Sequence, residues 1–165
     1  MIMGMPTLTF VHVVISVIAI LFGFVVVFGM MAARRLDGSN AVFLVTTVLT
    51  SVTGFVFFPF EKVTPGIVLG ILSLIVLGIA LFARYTRRLA GGWRRTYAIT
   101  AVIALYFNVF VLIAQLFEKV PALHELAPTR KEPPFQVAQI ACMIIFIGLG
   151  VFAVRGFRPD PFPAV

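Results

Sequence analysis

Long apolar segments alternate with short polar connections along the whole chain. Five of these segments are long enough to cross a bilayer, which takes about 20 helical residues. They cover residues 8–32, 41–60, 66–83, 96–117 and 135–154. None alternates apolar and polar positions as a barrel strand does, and a helix satisfies its own backbone hydrogen bonds in lipid. The pattern therefore predicts an all-α integral membrane bundle of five transmembrane helices, which forms a single domain over residues 1–165.

The charged residues of the predicted connections divide unequally between the two sides of this bundle. One side carries two aspartates and nine arginines, which are Arg34, Arg35, Arg84, Arg87, Arg88, Arg94, Arg95, Arg155 and Arg158. That side holds the full formal charge of +7, whereas the other side balances four basic against four acidic residues. Basic connections stay on the cytoplasmic side of a membrane. We therefore expect a multi-pass protein with its N-terminus outside and its C-terminus inside.

The composition supports a membrane protein and excludes other classes. Hydrophobic residues make up 61% of the chain and charged residues only 12%, against about 25% charged in soluble domains. A soluble enzyme and a disordered tail are therefore excluded. The sequence pI of about 10.6 follows from the basic membrane face, which attracts anionic lipid head groups, so we expect no nucleic-acid partner. The single cysteine, Cys142, excludes an intrachain disulfide.

Polar side chains inside the predicted spans are the best pointers to a ligand, because such groups are costly in lipid. His12, Gln115 and Gln139 reach similar depths on the outer side, and Asn108 lies near the middle of the fourth span. We interpret these four residues as a ligand-binding set in a polar pocket between helices. The same residue types also join membrane helices by hydrogen bonds, so a packing role is the competing interpretation.

Small and hydroxyl-bearing side chains predict close helix packing in the second and third spans. The residues concerned are Thr46, Thr50, Thr53 and Gly54 on the second span, and Gly66 and Gly70 on the third.

The sequence contains no arrangement that indicates catalysis or a metal centre. No serine nucleophile has a histidine and an acid in register, and no multi-ligand metal cluster is present. A haem between two histidines is weakly supported, because the only partner for His12 is His124 in the outer connection. We predict no catalytic residue and no metal ligand, and the sequence leaves the cofactor unassigned.

Two stretches resemble an uncharacterised family of small hypothetical bacterial multi-span inner-membrane proteins. The first runs over residues 50–60, and the second over residues 106–111, 120–129 and 132–135. The resemblance covers most of the chain and implies a bacterial inner-membrane location, but no activity or substrate. The family carries a histidine at the position of Ile67, and its absence here argues against a paired-histidine site with His12.

Three hypotheses for the function follow. The first is a non-catalytic accessory or assembly subunit of a membrane complex, or a binder of a lipid-like ligand. The second is a quinone- or haem-associated redox protein with its pocket near His12, Gln115 and Gln139. The third is a small oligomeric transporter or channel. The expected partners are the lipid bilayer and either the subunits of a membrane complex or further copies of this chain.

Overall fold

The computed structural model describes residues 6–55 and 65–158, and all the regular structure in these ranges is helical. The helices are α1 (Thr7–Met31), α2 (Asp37–Gly54), α3 (Pro65–Leu81), α4 (Trp93–Lys119), α5 (Pro121–Leu126) and α6 (Pro133–Gly156). A π-helical turn, Phe82–Thr86, continues α3. The prediction of an all-helical protein is confirmed for this part of the chain.

Four of the described helices are long and apolar enough to cross a membrane. They are α1, α3 with its π-helical turn, α4 and α6. The second predicted span, residues 41–60, coincides with α2 only as far as Gly54, because residues 56–60 lie outside the described ranges. The described part of α2 begins with the polar residues Asp37, Gly38, Ser39 and Asn40. The structure therefore confirms that the described part of the chain contains several apolar helices, of which four have the length and composition of a membrane span.

The observed helices extend beyond the predicted apolar segments. The clearest case is α4, which begins at Trp93 and ends at Lys119, whereas the apolar pattern predicts residues 96–117. Hydropathy marks the part of a helix that suits lipid, and a helix continues into water while its backbone hydrogen bonds are satisfied. The polar ends of α2 and α6 are helical for the same reason.

The central element of the bundle is α4, which packs against α1, α3 and α6. Its buried face carries Ala98, Ala101 and Ala104, all fully buried. Such small side chains allow the backbones of membrane helices to approach closely. Larger neighbours such as Phe43 of α2 and Leu77 of α3 then complete the core around α4.

Contacts between distant residues define one end of the bundle, which we call the arginine end. Arg84 pairs with Asp37 at the start of α2, and Arg94 at the start of α4 donates to the carbonyl oxygen of Arg158 after α6. The last turn of α1 lies there too, because the backbone of Met31 is close to Gly156. All nine arginines of the predicted basic side lie within or next to the helix ends that meet here.

The opposite end, which we call the loop end, is covered by α5 and the connection to α6. Arg130 forms an ion pair of 2.9 Å with Glu118. The carboxylate of Glu132 accepts hydrogen bonds from the hydroxyl group of Thr129 at 2.7 Å and from the backbone N–H of Lys131 at 3.0 Å. The Thr129 hydroxyl chiefly lowers the pKa of Glu132 below its usual value. The long connection is thus an ordered segment built on a short helix.

Candidate functional site

The predicted polar residues of the spans form hydrogen bonds between helices. Nδ1 of His12 on α1 lies 2.7 Å from the hydroxyl oxygen of Thr53 on α2. Asn108 of α4 is buried, and its amide donates to the hydroxyl oxygen of Thr47 at 3.3 Å. The first bond connects α2 to α1 and the second connects α2 to α4, so His12 and Asn108 bond to different residues of α2.

The other two residues of the predicted ligand set, Gln139 and Gln115, differ in their exposure to the surroundings. Gln139 of α6 is buried, and its amide donates to the backbone oxygen of Phe110 at 3.1 Å. Its side-chain oxygen is buried without a hydrogen-bond partner among the described residues. Gln115 of α4 is exposed on the surface of the helix. None of the four predicted residues lines either of the two cavities described below.

Gln115 is exposed although it lies on the face of α4 that is buried nearer the arginine end. Tyr97 and Gln115 are 18 residues apart, which is five full turns of a straight α-helix, so the two side chains share one face. Tyr97 and Asn108 on this face are buried, whereas Val111 and Gln115 are exposed. The neighbouring helices therefore cover this face at Asn108 and leave it open from Val111 onwards.

The residues predicted for helix packing have varied surroundings. Gly70 lies against Phe55, and a Cβ atom there would be 2.9 Å from the aromatic ring. A Cβ atom at Gly54 would meet the His12 ring at 3.7 Å. The hydroxyl group of Thr46 donates to its own helix, and that of Thr50 is buried without a partner in the described residues. Gly66 lies in the first turn of α3, partly buried.

Sequence reasoning missed the serine pair that connects α2 to α3. The hydroxyl oxygens of Ser51 and Ser73 are 2.9 Å apart, and both residues are buried. Together with Thr47 and Thr53, this pair makes α2 the helix through which α1, α3 and α4 are joined by polar bonds. A single serine in an apolar span gives no sequence signal of its partner, so only the packing identifies it.

A buried polar cluster at the arginine end was also missed. Arg84 is only 4% exposed at its side chain and pairs with Asp37, which is 73% exposed. Its guanidinium group lies over the Tyr97 ring, 5.2 Å from the ring centroid. The Tyr97 hydroxyl donates to Asn40, whose own amide donates to the carbonyl oxygen of Leu36 at 2.9 Å. The cluster ties the start of α2 to α4 and to the π-helical turn after α3.

An apolar groove lies between α4 and α6, and we call it the α4–α6 groove. Its volume is about 600 Å³. Buried Val102 and Phe146 form its floor, and exposed Ile99, Met143, Ile147 and Val151 form its rim. Gly150 keeps the middle of the groove wide, because it presents no side chain there. The lining is complementary to a hydrocarbon chain.

A second recess of about 590 Å³ lies at the arginine end, and we call it the arginine pocket. Its basic residues are Arg94, Arg95, Arg155 and Arg158. The groove and the pocket adjoin, because Val154 and Arg155 line both. We call the two together the cleft, which is apolar at the groove and strongly basic at the pocket.

No family model, no curated protein sequence and no solved structure matches the chain. Functional inference therefore depends on the geometry of the protein itself. Within residues 6–55 and 65–158, no group of three or more His, Cys, Asp or Glu side chains is placed to hold a metal ion. The candidate site is the α4–α6 groove with its arginine pocket.

Proposed function

We propose that the protein is a five-span membrane protein without catalytic activity that holds a lipid-like ligand in the α4–α6 groove. The observation that carries the proposal is the groove itself: an apolar recess of about 600 Å³ between two membrane-length helices, with its rim exposed on the outer surface of the bundle. A ligand with a hydrocarbon chain can enter such a groove from the bilayer without crossing water.

Five spans are supported by the positions of the helix ends. Asp37 at the start of α2 and Arg84 after α3 are in contact at the arginine end, and α1 also ends there. Both α1 and α3 run towards this end, and α2 runs the opposite way beside them, because Thr53 near its end contacts His12 near the start of α1. This antiparallel order supports a further span that includes α2. The basic arginine end is then cytoplasmic by the positive-inside rule, with the N-terminus outside.

The bacterial inner membrane remains the proposed location, on the strength of the sequence resemblance and the charge asymmetry. The accessory-subunit role stays a prediction about partners. The redox and transporter hypotheses also stay predictions, and the contacts of His12 and Asn108 support them less than the groove supports a lipid-like ligand.

The first experiment asks whether filling the groove removes a bound lipid. We expect native mass spectrometry of the gently extracted wild-type protein to show a retained lipid mass. Gly150→Leu places a branched side chain in the groove and should abolish this mass. Gly148→Leu is the matched control, because a side chain at Gly148 enters open space.

A second pair of variants covers the possibility that Gly150→Leu disturbs folding. Ile147 and Ile144 are 60% and 61% exposed on the same helix, but only Ile147 lines the groove. Ile147→Trp should reduce the retained lipid, and Ile144→Trp should leave it unchanged. Wild-type protein that carries no lipid, or equal retention in all four variants, would overturn the proposed function.

A further inference from the structure

The arginine pocket is basic without compensation from the described residues. Four of its lining residues are arginines and none is acidic. Arg95, Arg155 and Arg158 are exposed, and no ion pair within the described ranges involves any of the four. Such a pocket at the end of an apolar groove has the charge and the position to receive an anionic group attached to a hydrocarbon chain.

We propose that the cleft binds one anionic phospholipid, with its phosphate group in the arginine pocket and an acyl chain in the α4–α6 groove. This inference depends on the proposed function and specifies the class of ligand. With the arginine end on the cytoplasmic side, the lipid belongs to the cytoplasmic leaflet, where basic pockets between membrane helices are suited to phosphate head groups.

The cleft is expected to select lipids by their head groups, because the acyl chain of the ligand comes from the apolar bilayer and not from water. An acyl chain that moves from the bilayer into the groove leaves one apolar environment for another, so it gains no hydrophobic free energy. Packing alone distinguishes poorly among lipids that share the same chains. A lipid with these chains is therefore distinguished by its head group, and the arginine pocket is the part of the cleft that is placed to contact it.

One arginine of the pocket, Arg94, is held in place before a ligand arrives. Arg94 donates to the backbone oxygen of Arg158 at 2.7 Å, and its guanidinium group lies 5.1 Å from the centroid of the Phe157 ring. The backbone of residues 155–158 is thereby fixed against the start of α4. Arg94 can keep this contact when a ligand binds, because its guanidinium group has further donors in a planar fork. The exposed guanidinium groups of Arg95 and Arg155 can bind phosphate oxygens in the same bidentate way.

The connection before α4 leaves the pocket open. Gly91 lines the pocket with a φ of 54°, a conformation that favours glycine, and Gly92 follows it. With no side chain on either residue, phosphate oxygens can approach the backbone at the first turn of α4. The positive end of the helix dipole there adds to the charge of the arginines.

The test compares two head groups on the full-length protein. Delipidated protein in a neutral detergent is titrated with phosphatidylglycerol or with zwitterionic phosphatidylcholine of the same acyl chains, and bound lipid is counted by native mass spectrometry. We expect one tightly bound phosphatidylglycerol and weaker binding of phosphatidylcholine. Arg155→Gln and Arg158→Gln should each weaken phosphatidylglycerol binding about five-fold. Arg34→Gln, which removes an exposed arginine of the same end outside the pocket, should have no effect.

The other outcomes separate the two proposals. If both lipids bind equally and the pocket arginines do not matter, while Gly150→Leu still removes lipid, the head-group inference is wrong and the proposed function stands. If inorganic phosphate binds in the pocket and Gly150→Leu leaves that binding intact without any bound lipid, the pocket is a site for a soluble anion. A lipid-free dimer that loses its contact in Ile147→Trp would assign the groove to a second copy of this chain and overturn both proposals.

Discussion

Tyr97 and Tyr106 lie on the same helix in different environments, and the difference shows what single side chains contribute to this protein. Tyr97 is fully buried, and its hydroxyl group donates to Asn40, which is also buried. Tyr106 lines the α4–α6 groove, where its ring contacts Phe107, Phe110 and Phe146. The hydroxyl group therefore matters at Tyr97, and the ring matters at Tyr106.

Tyr97→Phe is expected to destabilise the protein by about 1–3 kcal/mol, because it leaves the side-chain oxygen of Asn40 buried without its donor. Tyr106→Phe keeps the ring contacts and should change stability by less than about 0.5 kcal/mol. Reversible unfolding in mixed micelles measures both values. Equal effects of the two substitutions would contradict the assigned role of the Tyr97 hydroxyl group.

The Arg84 cluster also depends on position along its helix. Arg84 lies in the π-helical turn Phe82–Thr86 and is buried against Tyr97 and Asp37. It continues the buried face of α3, since the buried residues Ser73, Leu77, Ala80 and Arg84 follow one another at steps of four, three and four. Nearly every residue of α3 is apolar, so the sequence does not show which face is buried, and it places Arg84 among nine equivalent basic residues.

At the scale of whole helices, the close approach of α1 and α6 at the arginine end controls how the bundle closes. A Cβ atom at Gly156 would lie 2.7 Å from Cα of Met31 and 2.8 Å from its carbonyl carbon. These are backbone atoms of another helix, and they cannot move aside as the end of a side chain can. Glycine at this position is therefore needed for the two helices to pack as they do.

Gly156→Ala should destabilise the bundle by about 1–3 kcal/mol through overpacking. The matched control is Gly78→Ala on α3, where a Cβ atom would enter open space. This control should stabilise the protein by about 0.5–1 kcal/mol, since alanine favours the helix interior. The same unfolding measurement distinguishes them, and a loss of stability in Gly78→Ala as large as in Gly156→Ala would refute the packing argument.

For the whole molecule, the number of spans determines on which side each connection lies. With five spans and the proposed orientation, we expect Gly38 and Thr86 both to face the cytoplasm, and Ala122 to face the outside. If α2 and the residues after it did not cross the membrane, Gly38 and Thr86 would lie on opposite sides. All three positions are exposed and uncharged, so a cysteine at each changes neither packing nor the charge balance.

Labelling with an impermeant maleimide in a Cys142→Ala background tests this topology. We expect Ala122→Cys to be labelled in intact cells, and Gly38→Cys and Thr86→Cys to be labelled only after the membrane is opened. Labelling of Gly38→Cys and Thr86→Cys from different sides would establish four spans. Labelling of both from outside, with Ala122→Cys protected, would reverse the proposed orientation.

The predicted outer pocket differs from the observed cleft because the cleft depends on how whole helices pack. His12, Gln115 and Gln139 are unusual residues in apolar spans and attract attention in the sequence, whereas the groove is made of ordinary apolar residues such as Val102, Ile147 and Gly150. A groove is a shortage of side-chain volume between two helices. It has no compositional signal, because it depends on how far apart and at what angle α4 and α6 pack.

The sequence alone determined that this protein is helical and suited to a membrane, and it assigned nine of the 13 basic residues to one side of the bundle. These properties follow from local quantities, the length and polarity of each segment, because a helix in lipid needs no distant partner for its backbone. Only the tertiary structure decided which arginine is buried, which serine pairs with which, and that an apolar groove joins a basic pocket at Arg155. Those features depend on the rotation and spacing of helices far apart in the chain, which the packing of all the helices sets together.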